Sequence, residues 1–217
     1  MGRPRSFTED DVVSIARDQF WQKGYAGTSL DDLTAATGLS RGSLYAAFGD
    51  KHGLFVRAMD SYCEGSLARV VNDLRGPSAT TPYQGLVNHV RNMEHVYLTG
   101  NRQRGCMMAK AAAELAPADN VVSKSLKRAL DNYRRILTAT IRGAQDDGDL
   151  DPGADADALA ALMLAALRGM EALRKLGAGR AVVSAAADQL ISSLPRPPAP
   201  VQRAAKTRVA SGSSSVR

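Results

Sequence analysis

The chain has 217 residues, of which 44% are hydrophobic and only 5% aromatic, and its formal net charge is +6. This apolar content can fill the core of one compact unit or of two small ones, but that core must consist mostly of Leu, Ala, Val and Met. The longest apolar run, residues 158–167, is too short to cross a bilayer, and two cysteines without repeated spacing make no disulfide framework. The first residues lack the apolar stretch of a signal peptide, so we expect a protein of the reducing cytoplasm without a membrane partner.

The charge is unevenly distributed along the chain. Residues 1–60 carry seven Lys/Arg against eight Asp/Glu, whereas residues 195–217 carry five Lys/Arg and no acid. The net charge is therefore weak evidence for nucleic-acid binding. Any such binding must come from a local arrangement of side chains.

The elements predicted in chain order are all helices. Alanine is abundant and the alternation typical of strands is scarce, so the fold class is all-α. Apolar spacing and turn residues predict helices over residues 9–23, from Thr28 or Ser29 to Gly38, and over 41–48, 50–75, 83–99, 106–115, 119–146, 154–176 and 180–194. The tail from residue 195 is made mainly of Pro, Ser, Ala and Arg and is expected to be disordered.

The second and third of these helices are short and lie close together. Ser29 begins a capping box, Gly38 ends the second helix, and Ser40 caps the third helix, which runs from residue 41 to residue 48. A helix of this length is not stable alone, so its neighbours must hold it. Two short helices joined by a tight turn form a helix-turn-helix.

The third helix has two unlike faces. Leu44 and Phe48 are four residues apart and can pack on the core, whereas Arg41 and Tyr45, also four apart, point elsewhere. Gly42 leaves the outer face open to a flat partner. Since an α-helix fits the major groove and residues near its N-terminus reach base edges, this face is a candidate DNA-reading surface.

The run GYAGTSLDDLTAATGLSRGSLYAAFGDKHGLF resembles the DNA-binding segment of TetR-family transcriptional regulators. The likeness covers roughly residues 9–58 and is carried by Gly24-Tyr25, Thr28, Gly38-Leu39-Ser40, Gly42-Ser43-Leu44-Tyr45, Phe48 and Lys51. It implies an N-terminal three-helix helix-turn-helix domain over residues 1–54 and a larger helical domain for effector binding and dimerisation over residues 55–194. A basic tail, residues 195–217, follows.

The resemblance also implies the residues that bind double-stranded operator DNA. Thr28, Ser43, Tyr45 and Lys51 would contact phosphates and Arg41 would face bases. The small residues that follow Tyr45 shift base reading onto the start of the helix. The predicted DNA-binding residues are Thr28, Ser29, Ser40, Arg41, Gly42, Ser43, Tyr45 and Lys51. The Arg3-Pro4-Arg5 arm either enters an A·T minor groove or makes only non-specific phosphate contacts.

A homodimer is expected from the last two helices. The run ALAALMLAAL, residues 158–167, is apolar around nearly its whole circumference, whereas a surface helix shows a polar side. With residues 180–194 and the same two helices of a second copy, it would form a four-helix interface. The alternative is a central helix buried within a monomer. The dimer is favoured because TetR-family proteins are similar in this respect and because a helix-turn-helix reads two half-sites.

Cys106 is a candidate sensor. It opens a predicted helix whose dipole favours a thiolate, and Arg102, Arg104 and Lys110 lie near it in the chain. The stretches RGCMMAKAAAELAP and RGMEALRKLG resemble a TetR-family branch that includes thiol-based sensors, in which a cysteine at this position works with a lysine that corresponds to Lys175. Two interpretations stay open: Cys106 is oxidised or alkylated by an electrophile, or it is a small packing residue beside a reversible hydrophobic ligand.

A small-molecule effector would need a cavity in the larger domain. Its candidate lining residues are Met93, Tyr97, Met107, Tyr133, Met163 and Met170, although a methionine-rich core explains the methionines equally well. Cys63 and the three histidines lack metal-ligand spacing and are interpreted as packing or surface residues. The sequence contains no motif of hydrolytic or redox catalysis and implies no metal and no cofactor, so the chain is predicted not to be an enzyme.

The predicted function is therefore that of a transcriptional repressor released from its operator by an effector or by chemistry at Cys106. The effector would favour a conformer whose two reading helices are wrongly spaced, and the long helix 50–75 would transmit the change. A helical interaction protein without DNA binding is the remaining alternative.

Overall fold

The computed structural model describes residues 8–100 and 104–197, and these residues form nine α-helices without a β-strand. The helices are α1 (Glu9–Lys23), α2 (Leu30–Thr37), α3 (Arg41–Phe48), α4 (Lys51–Arg75), α5 (Pro82–Thr99), α6 (Met107–Glu114), α7 (Asn120–Asp146), α8 (Ala156–Lys175) and α9 (Arg180–Ser192). The predicted all-α class is confirmed, and each predicted range agrees within a few residues. The Arg3-Pro4-Arg5 arm, Arg102 and residues 198–217 of the tail lie outside the described residues.

Side-chain caps fix where the first helices begin. Ser29 and Asp32 form a capping box at α2, the Ser40 hydroxyl accepts from the Ser43 amide at α3, and the Asp50 carboxylate accepts from the Gly53 amide at α4. Each bond satisfies a backbone N–H that has no partner within its helix. The three starts are therefore set by local sequence, as predicted.

Two hydrophobic cores lie along α4. Phe55 and Met59, near the start of α4, pack into an N-terminal core that also contains residues of α1, α2, α3, α6 and α7. Val70 and Leu74, near its end, pack into a C-terminal core with α5, α7, α8 and α9. The predicted domain boundary between residues 54 and 55 therefore falls inside a continuous helix that belongs to both cores.

The corner between α3 and α4 requires a glycine. A Cβ at Gly53 would lie 2.1 Å from the carbonyl oxygen of Phe48, a distance that no side chain tolerates. Gly53 thus lets α4 start directly against the end of α3, which fixes the direction in which α3 points from the body.

The chain after α9 packs on the body as far as Arg196. The Asp151 amide donates to the Pro195 carbonyl at 2.9 Å, and the Arg196 guanidinium lies 3.9 Å from the centroid of the Tyr83 ring. The tail was predicted to begin at residue 195, so its first residues differ from that expectation. In the parts of the chain that the structure covers, none of the helices combines the length and apolarity needed to cross a membrane.

Candidate DNA-binding face and effector cavity

The exposed side of α3 carries the residues predicted to meet DNA. Leu44 is 3% exposed and Phe48 is half-buried against the N-terminal core, whereas Tyr45 is 42% exposed and Arg41 and Ser43 are exposed. The two-faced arrangement expected from the four-residue spacing is present. Because the buried side anchors a helix of only two turns, its outer side is presented in a fixed orientation.

Arg41 is held by an ion pair that it can leave easily. Its Nη2 lies 2.6 Å from the Asp31 carboxylate of α2, and both side chains are exposed. An exposed pair of this kind adds little to stability because water and salt screen it. A base edge or a phosphate can therefore replace Asp31 without disturbing the fold.

Lys51 stands at the start of α4, beside α3. Its ammonium lies 4.3 Å from the centroid of the Tyr25 ring, and Tyr25 in turn packs edge-on against Phe55. This cation–π contact places a positive charge at a helix N-terminus, where the backbone also favours anions.

The Thr28 side chain lies inside the protein, whereas the sequence predicts a phosphate contact for it. The side chain is fully buried, and its hydroxyl donates to the Gly24 carbonyl at 2.7 Å. A phosphate contact through this hydroxyl would require the turn after α1 to open. In this conformation Thr28 instead closes that turn, because a buried hydroxyl must keep its hydrogen bond. Ser29 and Ser40 are exposed at the cap positions.

A cavity of about 890 Å³ lies in the body among α4, α5, α7 and α8 and reaches the start of α6. Its volume suits a small-molecule ligand. Met93, Tyr97 and Tyr133 line it, in agreement with their proposed place, but Met107, Met163 and Met170 do not. These three methionines are buried in the two cores instead.

Cys106 lies at one end of the cavity as the N-cap of α6 and is 6% exposed. Its sulfur is 3.5 Å from Nη1 of Arg168 and 3.8 Å from the Tyr62 hydroxyl. Arg168 comes from α8, 62 positions along the chain. The cation beside the thiol is thus one that the sequence around Cys106 does not contain.

Two of the cations expected beside Cys106, Arg104 and Lys110, bind elsewhere. Arg104 pairs with Asp18 at 3.2 Å, and the Lys110 ammonium donates to the Trp21 carbonyl at 2.8 Å. Burial lowers the pKa of Lys110. Both residues therefore join the start of α6 to α1, and neither hydrogen-bonds the thiol, because their side chains turn toward the N-terminal core.

Lys175 lies beside the same end of the cavity. Its Nζ is 3.3 Å from the place where a Cβ at Gly105 would stand, and it lines the cavity together with Cys106. The structure therefore brings the two residues of the predicted pair into one site. A bond between them stays a prediction.

Arg168 is the centre of a polar cluster that sequence reasoning missed. It donates to the Tyr97 hydroxyl at 3.2 Å and to the Glu171 carboxylate at 3.0 Å, besides its contact with Cys106. Burial raises the pKa of Tyr97 and of Glu171. The sequence points to Arg168 only through the stretch RGMEALRKLG, which begins with this arginine. In that stretch Lys175 is the residue predicted to act with Cys106.

His89 is fully buried next to this cluster. Its Nδ1 lies 2.9 Å from the Asp73 carboxylate and its Nε2 lies 2.5 Å from the Tyr133 hydroxyl. An ionised carboxylate only accepts, so Nδ1 donates to Asp73, and in a neutral imidazole Nε2 then accepts from Tyr133. The Tyr133 oxygen consequently presents lone pairs to the cavity. Among the described residues, no group of three His, Cys, Asp or Glu side chains is placed to hold a metal ion.

Helix α6 bonds the cavity directly to the DNA-binding part. At its start, the Gly105 carbonyl accepts from the Trp21 indole at 2.6 Å. At its end, the Glu114 carboxylate accepts from the Tyr25 amide at 2.7 Å. The eight residues after Cys106 therefore connect the thiol to the end of α1 and the turn that leads into α2.

A row of apolar side chains on α8 and α9 has no cover in the single chain. Leu162 is 54% exposed, Leu173 43%, Leu176 87% and Val182 50%, whereas the opposite side of α8 is buried in the C-terminal core. An exposed apolar strip of this length is typical of a protein–protein contact.

Comparison with known proteins agrees with this architecture. Residues 12–58 match the family model described as bacterial regulatory proteins, tetR family, and residues 83–190 match the tetracyclin repressor-like C-terminal domain. The chain is 32% identical over 162 residues to the uncharacterized HTH-type transcriptional regulator YezE of Bacillus subtilis, which covers 72% of this chain and 79% of YezE. The chain belongs to the TetR family. This confirms the resemblance seen in residues 9–58 and the prediction of a regulator that is not an enzyme.

Two other TetR-family relatives extend the likeness. The HTH-type transcriptional repressor ComR of Escherichia coli is 29% identical over 177 residues, which are 82% of this chain and 84% of ComR. A cysteine mutant of the TetR-family regulator CifR, solved with 26-base-pair double-strand operator DNA, is 30% identical with a TM-score of 0.76. That likeness covers 89% of this chain and all of the CifR chain.

Proposed function

We propose that this TetR-family chain is a homodimeric transcriptional repressor that binds operator DNA through α3. The observation that carries the proposal is the outer face of α3, where Arg41 and Tyr45 are exposed while Leu44 anchors the helix. Ser29, Ser40, Gly42, Ser43 and Lys51 surround these residues and would position the phosphates. The repressor ComR and the operator complex of CifR support this function by their similarity. A regulator of this kind works on the chromosome, so we expect it in the cytoplasm.

The uncovered row on α8 and α9 supports the dimer. A second copy seated on Leu162, Leu173 and Val182 would bury the row and complete a four-helix interface. It would also provide the second α3 for the other half-site, about 34–36 Å away or a multiple of that distance. In a monomer, these apolar side chains would stay exposed to water.

The regulated site is proposed to be the cavity with Cys106 at its end. Occupation of the cavity, or modification of the thiol, would move the start of α6 and with it the bonds from Gly105 and Glu114 to the end of α1. Helix α4 would carry the same change, because it belongs to both cores. The shift favours a dimer whose two α3 helices no longer match the half-sites.

The DNA-binding part of the proposal is tested by footprinting the purified protein on the DNA that flanks its own coding region. We expect two protected half-sites and an affinity that falls steeply with salt on random duplex as well. A protein that protects no region and shows no salt-dependent affinity for duplex DNA would instead be a helical interaction protein.

The trigger is tested by measuring operator binding before and after hypochlorite or N-ethylmaleimide. Hypochlorite would oxidise the Cys106 thiol to a sulfenic acid and be reduced to chloride, and condensation with the Lys175 amine would form an S–N bond and release water. Cys106→Ser should abolish the response to both reagents. Cys63→Ser is the matched control, because burial raises the pKa of Cys63 to about 12 and keeps it a thiol at neutral pH.

The second candidate trigger is a reversible ligand without cysteine chemistry. The apolar cavity favours it, since most of the lining residues other than the polar cluster are hydrophobic. If wild-type protein still binds its operator normally after both reagents, the thiol trigger is refuted and the reversible ligand remains.

A further inference from the structure

We propose that the cavity recognises a carboxylate monoanion with an apolar body, and that Arg168 is the residue that binds the carboxylate. This inference rests on the proposed function only in so far as the cavity controls operator binding. Binding of the anion itself can be measured without DNA.

The charges around the cavity favour an anion. Among the described lining residues, the cations outnumber the carboxylates: they are Arg69, Arg104, Arg168, Arg174 and Lys175, against Asp73 and Glu171. Asp73 is already engaged, because it accepts from His89 at 2.9 Å and from Asn92 at 2.9 Å. A cavity lined by an excess of one charge concentrates ligands of the opposite charge.

The excess of positive charge lies at the end of the cavity that contains Cys106. Arg168 and Lys175 both act electrostatically on one carboxylate, that of Glu171. One carboxylate between two cations leaves a single positive charge uncompensated, which a monoanion would balance. A dianion would give this end of the cavity a net negative charge.

Arg168 has hydrogen-bonding capacity that the protein does not use. Its Nη atoms donate to Tyr97, Cys106 and Glu171, but its buried Nε has no hydrogen-bond partner among the described residues. A third of the side chain remains accessible and lines the cavity. A buried guanidinium donor without a partner is unfavourable, so a carboxylate that reorders these bonds would relieve it.

The two neighbouring tyrosines define where the carboxylate can lie. The Tyr97 hydroxyl accepts from Arg168 at 3.2 Å and keeps its own proton to donate to an anion. The Tyr133 hydroxyl directs its proton toward a neutral His89, so its oxygen offers an anion only lone pairs. The carboxylate is therefore expected between Arg168 and Tyr97, away from Tyr133.

The rest of the cavity suits an apolar body. Met93, Val96, Leu126, Leu130 and Leu164 line it. The volume of about 890 Å³ accommodates a chain of several carbon atoms beyond the carboxylate. The ligand class is thus an amphiphilic acid such as a medium-chain carboxylate, rather than a small inorganic anion.

The test uses straight-chain carboxylates from butanoate to decanoate and their neutral amides as probes on the full chain without DNA. Trp21, the one tryptophan of the chain, lines the cavity, so its fluorescence reports occupancy. Octanoate should bind about tenfold to a hundredfold more tightly than octanamide, because the neutral amide offers Arg168 one acceptor oxygen and no negative charge. Calorimetry provides an independent affinity.

Arg168→Gln should remove the preference for octanoate over octanamide, and Arg135→Gln, an exposed arginine on α7, should keep it. Equal affinities for acid and amide in the wild-type protein, or no binding of any carboxylate in the series, overturns the proposal even if Arg168→Gln does not fold. Loss of operator binding on addition of octanoate is scored separately. A protein that binds octanoate but keeps its operator refutes control by the cavity and leaves the anion site intact.

Discussion

The candidate DNA-binding face and the candidate effector cavity are built in opposite ways. On α3, the polar residues are exposed, come from one short segment, and make bonds such as Arg41–Asp31 that water can replace. In the cavity, Cys106 is buried and Arg168 is half-buried, and the two come from distant parts of the chain. A face of the first kind can exchange its partners for DNA at little cost. A cluster of the second kind is rigid, so a ligand that changes one bond must disturb several.

The largest effect is expected from removing the support beneath α3. Phe55→Ala would leave a cavity where Phe55 contacts Phe20 and Tyr25, and should lower the free energy of unfolding by about 3–5 kcal/mol. Urea denaturation followed by circular dichroism measures it. The control is Tyr45→Ala on the exposed side of α3, for which a change above about 0.5 kcal/mol would contradict the two-faced description.

The next largest effect should come from the buried polar chain. Tyr133→Phe removes the hydroxyl that donates to His89 and leaves Nε2 of a fully buried imidazole without that donor. The free energy of unfolding should fall by about 1–3 kcal/mol. Ser43→Ala, which deletes a hydroxyl on the exposed face, is the comparison. Equal losses for the two variants would remove the contrast between the two regions.

Within the DNA-binding face, Arg41 and Lys51 are expected to differ in kind. Arg41→Ala should cut the preference for operator over random duplex by about tenfold or more, because a base contact is lost. Lys51→Ala should weaken both duplexes alike and reduce the slope of affinity against salt by about one phosphate contact. Fluorescence anisotropy titrations of both variants at several salt concentrations measure these effects. Identical profiles for the two variants would refute the separate roles of Arg41 and Lys51.

A smaller effect is expected at Thr28, whose side chain is buried although the sequence predicts a phosphate contact. Thr28→Val keeps the shape but loses the buried bond to the Gly24 carbonyl, so the free energy of unfolding should fall by about 1 kcal/mol. The affinity for operator and for random duplex should not change. An equal loss of affinity on both duplexes, with the salt dependence unchanged, would show that the Thr28 hydroxyl contacts a phosphate after all.

The smallest effect on stability is expected from Asp31→Asn. The pair with Arg41 is exposed, so the urea midpoint should stay where it is in the wild type. DNA binding should become tighter for two reasons. The variant has no negative charge at position 31 beside the bound duplex, and Arg41 no longer has to break an ion pair to reach the DNA. Weaker binding would mean that Asp31 positions Arg41 for the duplex.

The two faces of α3 could be predicted from the sequence because their determinants are local. Caps at Ser29, Ser40 and Asp50 and the four-residue spacing of Leu44 and Phe48 decide helix starts and faces within a few residues. Thr28 is the exception, since its burial depends on how the turn after α1 closes.

The cavity could be predicted only in part, because it depends on how distant helices pack. Met107 and Met108 are adjacent, yet the first is buried in the N-terminal core and the second lines the cavity, so a rotation of one residue decides the difference. The contact between Arg168 and Cys106 joins positions 62 residues apart. Helical periodicity does not contain that information.

The position of Cys106 at the head of α6 has a mechanical consequence. An eight-residue helix is about 12 Å long, and its far end, Glu114, holds the peptide amide of Tyr25 beside α2. Under the proposed mechanism, so short a helix would pass a displacement at the sulfur on to the end of α1. Inducers of unrelated shape would then give the same output, provided that each displaces that end of α6.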